Sequence, residues 1–269
     1  MPIELVILVI CVGIGAVVGV LAGLLGIGGG LVIVPALTYM LSHFLGLSPF
    51  LTITIAIATS LSTIILTGLS SSRAHYRLGN VDKTIVLYCA LGIAVGASLG
   101  AQAASVMDGR VLKGLFAALV ILVAANMVFG KKSSSNISYT PTILLITGLI
   151  VGFLSALMGI GGGALLVPAL VLFCVDLRKA IGCAAVAGLV IAVFGTANFV
   201  YTGWSVPGLP PYSLGYVYLP ASIGIVLSSV LTAPLGAKWG QQMDTAKLKR
   251  IFAVFLVIVS IRMLYDLGA

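Results

Sequence analysis

The chain has 269 residues, 61% of them hydrophobic and 7% charged, with a formal net charge of +8. Soluble domains carry about a quarter charged residues, so the composition excludes a soluble globular protein and leaves no room for one between the apolar stretches. The basic excess sits between those stretches, where it matches membrane-flanking anchors and not a nucleic-acid surface.

Ten apolar segments are predicted, at 4–26, 30–46, 51–71, 84–106, 111–130, 141–159, 163–175, 180–201, 214–237 and 250–267. The longer ones suffice to cross about 30 Å of hydrocarbon; those starting at 30 and 163 are short. Segment 1 lacks a basic leader and a cleavage pattern, so it predicts a retained helix and not a signal peptide. Segments 1 and 2 meet at Gly26-Ile27-Gly28-Gly29-Gly30, and segment 3 carries Thr59 and Ser60 and is followed by Arg73, His75 and Arg77. A polar connection over 131–141 separates segments 5 and 6. Segments 6 and 7 meet at Gly159-Ile160-Gly161-Gly162-Gly163, and segment 8 carries Thr196 and Asn198. Cys11, Cys89, Cys174 and Cys183 form no CxxC pair, which indicates neither a disulfide framework nor a metal site.

Self-comparison shows a duplication. Gly19 to Leu37 matches Gly152 to Leu170, with the five-residue glycine core and the following proline identical. Ala56-Ile57 matches Ala180-Ile181, and Gly100-Ala101 with Met107-Asp108 matches Gly236-Ala237 with Met243-Asp244, in the same order. The expected organisation is a first membrane repeat over 1–132, a connecting loop over 133–140 and a second repeat over 141–269. Five segments per unit is an odd number, so the halves should face opposite ways. Counted from an outside N-terminus, eleven basic residues fall inside and three outside, the bias expected of cytoplasmic loops. The predicted fold is therefore an all-α membrane protein of two inverted five-segment repeats, with both termini outside. Broken or re-entrant helices at the glycine runs satisfy the same count.

Glycine permits positive φ and brings backbone N–H groups close to a ligand. The first N–H groups of a helix are unpaired and partly positive, which suits an anion. Gly26, Gly28, Gly29 and Gly30, with Gly159, Gly161, Gly162 and Gly163, are thus candidate substrate-binding positions. The competing reading is that they only permit close helix packing. Thr59, Ser60, Thr196 and Asn198 add candidate hydrogen bonds. Against that, membrane hydroxyls often bond the carbonyl four residues back. Arg73, His75 and Arg77 are candidate pathway or mouth residues, alternatively anchors of topology; His75 is also a candidate for proton linkage.

The doubled Gly-Ile-Gly-Gly-Gly-x-x-x-x-Pro-Ala-Leu, the Ala58-Thr59-Ser60 stretch and the His75-x-x-x-Gly79 element resemble the TauE/SafE sulfite/sulfonate exporter family. The resemblance covers nearly the whole chain and implies a multi-spanning carrier of sulfite, sulfonate or sulfoacetate in the cytoplasmic membrane of a prokaryote. The second half departs from the pattern, with Cys183-Ala184 opposite Thr59-Ser60 and Phe199 opposite His75. No carboxylate falls in mid-span and no phosphate loop is present, so a secondary transporter or facilitator without a cofactor is expected. Uptake of thiosulfate or another small anion, and a non-transporting assembly subunit, are the alternatives; an enzyme is not expected. The expected partners are a small anionic substrate and the bilayer, with self-association into a homo-oligomer left open.

Overall fold

The computed structural model describes residues 3–112, 114–115, 118–119, 121, 140–244, 247, 250–251, 254 and 257. Eight helices are delimited: α1 (Ile3–Leu25), α2 (Gly30–Leu45), α3 (Pro49–Arg77), α4 (Lys83–Val106), α5 (Pro141–Met158), α6 (Gly163–Leu172), α7 (Leu177–Gly203) and α8 (Leu219–Gln242). Six of them, all except α2 and α6, are long and apolar enough to cross a membrane. At about 1.5 Å per residue, the ten residues of α6 reach only half of the hydrocarbon thickness. Most of the expected segments at 111–130 and 250–267 lies outside the described residues, as does the connection at 133–139.

Local chemistry sets the helix ends. Ser48 precedes Pro49 and accepts the Leu51 N–H, and Thr140 precedes Pro141 and accepts the Ile143 N–H, pairing a capping oxygen with a proline that has no N–H to lose. Asp82 caps α4 through the N–H groups of Thr84 and Ile85, and Asp176 caps α7 through that of Arg178.

Two differences from the sequence expectation matter. The helix expected to start at 214 starts at Leu219, because Ser213–Leu214 pairs antiparallel with Val217–Tyr218 as a small hairpin, β1 and β2. Gly215, with φ 56°, takes the first turn position that two-residue hairpins reserve for glycine. The third helix also runs on to Arg77, so Arg73, His75 and Arg77 belong to its last turns and do not follow it.

Helices far apart in sequence pair along their lengths, α1 with α8, α4 with α5, and α3 with α7. Glycines make the first two seams possible. A Cβ on Gly23 of α1 would collide with the carbonyl of Ala233, and one on Gly96 of α4 with the carbonyl of Leu149. Small residues that admit a neighbouring backbone are how helices associate where lipid removes the hydrophobic drive. Between these pairs runs α3, buried at Thr52–Leu61 without interruption. Its end, the starts of α4 and α7 and the end of α8 gather at one end of the bundle, shown by Gly182 against Asn80 and by Arg178 donating to the Met243 carbonyl at 2.9 Å. The start of α3 lies at the other end, and from that side the hairpin reaches inward to α3, where the Tyr218 N–H donates to Thr59 Oγ1 at 2.9 Å.

Candidate functional site

The two glycine runs meet in the middle of the bundle. A Cβ on Gly30 would collide with the Gly159 carbonyl oxygen and stand 2.8 Å from Ile160 Cα; one on Gly163 would collide with the Gly26 carbonyl oxygen and stand 2.5 Å from Ile27 Cα. One on Gly161 would stand 3.0 Å from Gly28 Cα. All ten residues of the runs are buried. Identical letters adopt different backbones: Gly26, Gly28 and Gly29 have φ of 67°, 69° and 85°, while in the second run Gly159 alone is left-handed, at 69°, and Gly162 sits at −48°.

The breaks leave main-chain donors unused. The amides of Ile27, Gly28, Gly29, Gly30 and Leu31, and of Gly161, Gly162, Gly163 and Ala164, find no hydrogen-bond partner among the described residues. A buried unpaired polar group costs about 1–3 kcal/mol, so this cluster favours water or an anion as guest.

Ser60 joins the runs by a different chemistry from the one its position suggested. Its hydroxyl is fully buried and donates to the Gly159 carbonyl at 2.8 Å, which ties α3 to the second break. Ser60→Ala is expected to cost about 1 kcal/mol of stability, checked by thermal unfolding in detergent. Thr59 is also fully buried, and its oxygen accepts the hairpin amide of Tyr218. Beside it, Tyr218 is almost wholly buried, and burial pushes its phenol up to about 12, so the ring is uncharged.

The remaining expected residues scatter. Thr196 is buried and its hydroxyl has no partner among the described residues. Asn198 is half-buried at the α4–α7 seam, donating to the Phe194 carbonyl at 2.9 Å and accepting from Gln102 at 3.4 Å. Arg73 and Arg77 are exposed, but His75 is 3% exposed, with Nε2 2.8 Å from the Gly23 carbonyl oxygen. A carbonyl only accepts, so Nε2 carries the proton, and Nδ1 is left to accept from Asn80 Nδ2, 3.5 Å away.

Sequence reading passed over several polar residues. Ser155, wholly buried in the last turn before the second break, has a hydroxyl with no partner among the described residues; a lone serine in an apolar segment was the available signal. Ser222 and Ser229 of α8 bond Ser62 and Thr67 of α3. Asn80, Gln241 and Arg178 converge beneath the first break, and nothing in their spacing announced that. Among the described residues no group of three His, Cys, Asp or Glu side chains is placed to hold a metal.

Residues 11–263 match the family described as Sulfite exporter TauE/SafE. A probable membrane transporter protein of Haemophilus influenzae is 38% identical over 258 residues, covering 95% of this chain and 97% of that one. Probable membrane transporter protein YunE of Bacillus subtilis is 28% identical, covering 96% and 97%. A probable membrane transporter protein of Methanocaldococcus jannaschii is 27% identical, covering 97% and 96%. No solved structure matches.

Proposed function

The chain belongs to the TauE/SafE sulfite exporter family, and from that premise we propose that it exports a small sulfur-containing anion between its two glycine breaks. It is a multi-pass membrane transporter and not an enzyme. Sulfite, a sulfonate or sulfoacetate is the substrate class of this proposal. The observation that carries it is the abutting pair of breaks, buried near the centre of the bundle with their amides unpaired.

The transport cycle follows from that contact. Gly28 and Gly161 touch, so the path is shut here, and the guest enters when the runs part. Non-helical backbone at membrane depth survives where protein buries it or where it lines a cavity, and parting the runs converts the first condition into the second. An inverted repeat supplies the two-sided access. In support, the first helix of each expected half pairs with the fourth of the other, α1 with α8 and α5 with α4. The basic residues Arg73, Arg77, Lys83, Arg178, Lys179 and Lys238 belong to the end where α3 and α8 finish and α4 and α7 start; we place that end in the cytoplasm. Among the described residues, Glu4, Asp82, Asp108, Asp176 and Asp244 all lie at helix ends or in loops. Mid-span carboxylates are the usual proton and cation relays, and their positions fit a facilitator moving its anion down a gradient.

Proteoliposomes loaded with radiolabelled sulfite, thiosulfate or taurine test this directly. Sulfite or sulfonate efflux well above that of protein-free vesicles is expected. Vesicles that retain all three labels, or that only take up thiosulfate, would sink the export reading.

A further inference from the structure

We propose that Arg178, His75, Asn80 and Gln241 form a second anion site, a vestibule immediately beneath the first glycine break. The proposal deepens the transport reading and rests on it for the direction from which the anion arrives. These four side chains, with Leu24 and Ile181 as walls, enclose a cavity of about 10 Å³. It lies next to the break, with Leu24 of the last turn of α1 in its wall. A Cβ on Gly26 would stand 2.5 Å from the Ile181 carbonyl oxygen, and His75 bonds the Gly23 carbonyl. The residues come from the ends of α1, α3, α7 and α8 and the turn after α3, so the cluster exists only in the folded chain.

The chemistry is that of an anion receptor. Arg178 donates one terminal N–H to the Met243 carbonyl at 2.9 Å, yet its Nε is buried without a partner among the described residues. A guanidinium stays charged at all relevant pH values and presents donors in a planar fork that suits two oxygens of one oxyanion. Among the described residues no carboxylate lines the cavity, and Asp82 and Asp176 are engaged in capping α4 and α7. The neighbours of Arg178 are the buried Asn80 and His75 and the half-buried Gln241, amides and an imidazole that orient a compact guest without competing for its charge.

The vestibule is latched. Asn80 Nδ2 donates to Gln241 Oε1 at 2.8 Å, joining the turn after α3 to the end of α8. A cavity of this size holds about one water at most, so an oxyanion enters only when that bond opens. A single bond between neutral side-chain amides is one that thermal motion breaks readily. The ligand class is therefore a small oxyanion with at least two oxygens on one centre.

The test reads binding apart from transport. Purified protein in detergent is titrated with sulfite, thiosulfate and methanesulfonate, each against chloride at equal ionic strength, and thermal stabilisation gives an apparent Kd. Arg178→Gln is expected to raise that Kd at least about tenfold, Arg178→Lys less, because a point charge replaces the fork. Lys83→Gln, the same charge change on an exposed residue at that end, is expected to leave it unchanged. If Arg178→Gln does not fold, Arg178→Lys decides, and an unaltered Kd there overturns the site. So do equal stabilisation by chloride, no stabilisation of the unaltered protein, or a Kd that Arg178→Gln does not move. Efflux is measured on the same preparations. Anion binding lost in Arg178→Gln, with no efflux by the unaltered protein, upholds the vestibule and sinks the transport reading.

Discussion

Gly30→Ala and Gly163→Ala are expected to abolish transport, while Gly162→Ala retains most of it. Each of the first two adds a methyl group where the opposite run's backbone already stands, against Gly159 and Ile160 in one case and Gly26 and Ile27 in the other. Backbone cannot rotate aside as a side chain can. Overpacking of a tight core costs about 1–3 kcal/mol, and a wedge between two backbones belongs at the upper limit. At Gly162 the nearest atom is the Cδ1 of Ile191, 2.9 Å from the added Cβ. That is the end of a flexible side chain, and φ is −48°, which any residue accepts. Radiolabelled sulfite efflux should fall below about a tenth in the first two variants, with membrane insertion intact. Normal efflux through a folded Gly30→Ala protein would remove the contact between the runs from the pathway.

Gly23→Leu and Gly96→Leu should prevent assembly of the bundle altogether. These residues sit in the α1–α8 and α4–α5 seams, each with a neighbouring carbonyl occupying the space of its missing Cβ. A leucine forces the axes apart along the seam and forfeits contacts on both sides of the substitution. The penalty is of order 5 kcal/mol, at the severe limit for single changes, and comparable to the whole stability of many domains. Gly13→Leu, on α1 with nothing within 4 Å of its added Cβ, is the control and should be silent. Yield of monodisperse protein in mild detergent and the thermal midpoint separate the three. A Gly96→Leu protein as stable as the Gly13→Leu one would show that the seam is not closely packed.

Much of this architecture was legible beforehand because its causes are local. Helix starts follow from Ser48-Pro49, Asp82, Thr140-Pro141 and Asp176, each a capping residue acting within three positions of itself. The breaks at 26–30 and 159–163 follow from glycine's freedom at positive φ. What the sequence left open, a distant partner decides. His75 is written among exposed arginines, yet α1 brings the Gly23 carbonyl to it and buries it. Ser60 was expected to face a guest, and its proton goes to the Gly159 carbonyl, 99 positions away. Asn198 was a candidate hydrogen bond on its segment, and the helix neighbour it meets is α4, through Gln102 at the α4–α7 seam.

By itself the sequence determined a helical membrane protein, where most of its helices begin to within a few residues, and its family, since apolar run length, capping residues and a doubled motif are all written in consecutive letters. The tertiary structure alone decided that the two breaks touch, that α1 pairs with α8 and α4 with α5, and that Arg178, Asn80 and Gln241 converge below Gly26. Those facts depend on which backbones approach within van der Waals distance. That is a property of pairs of distant residues, and no run of neighbouring letters encodes it.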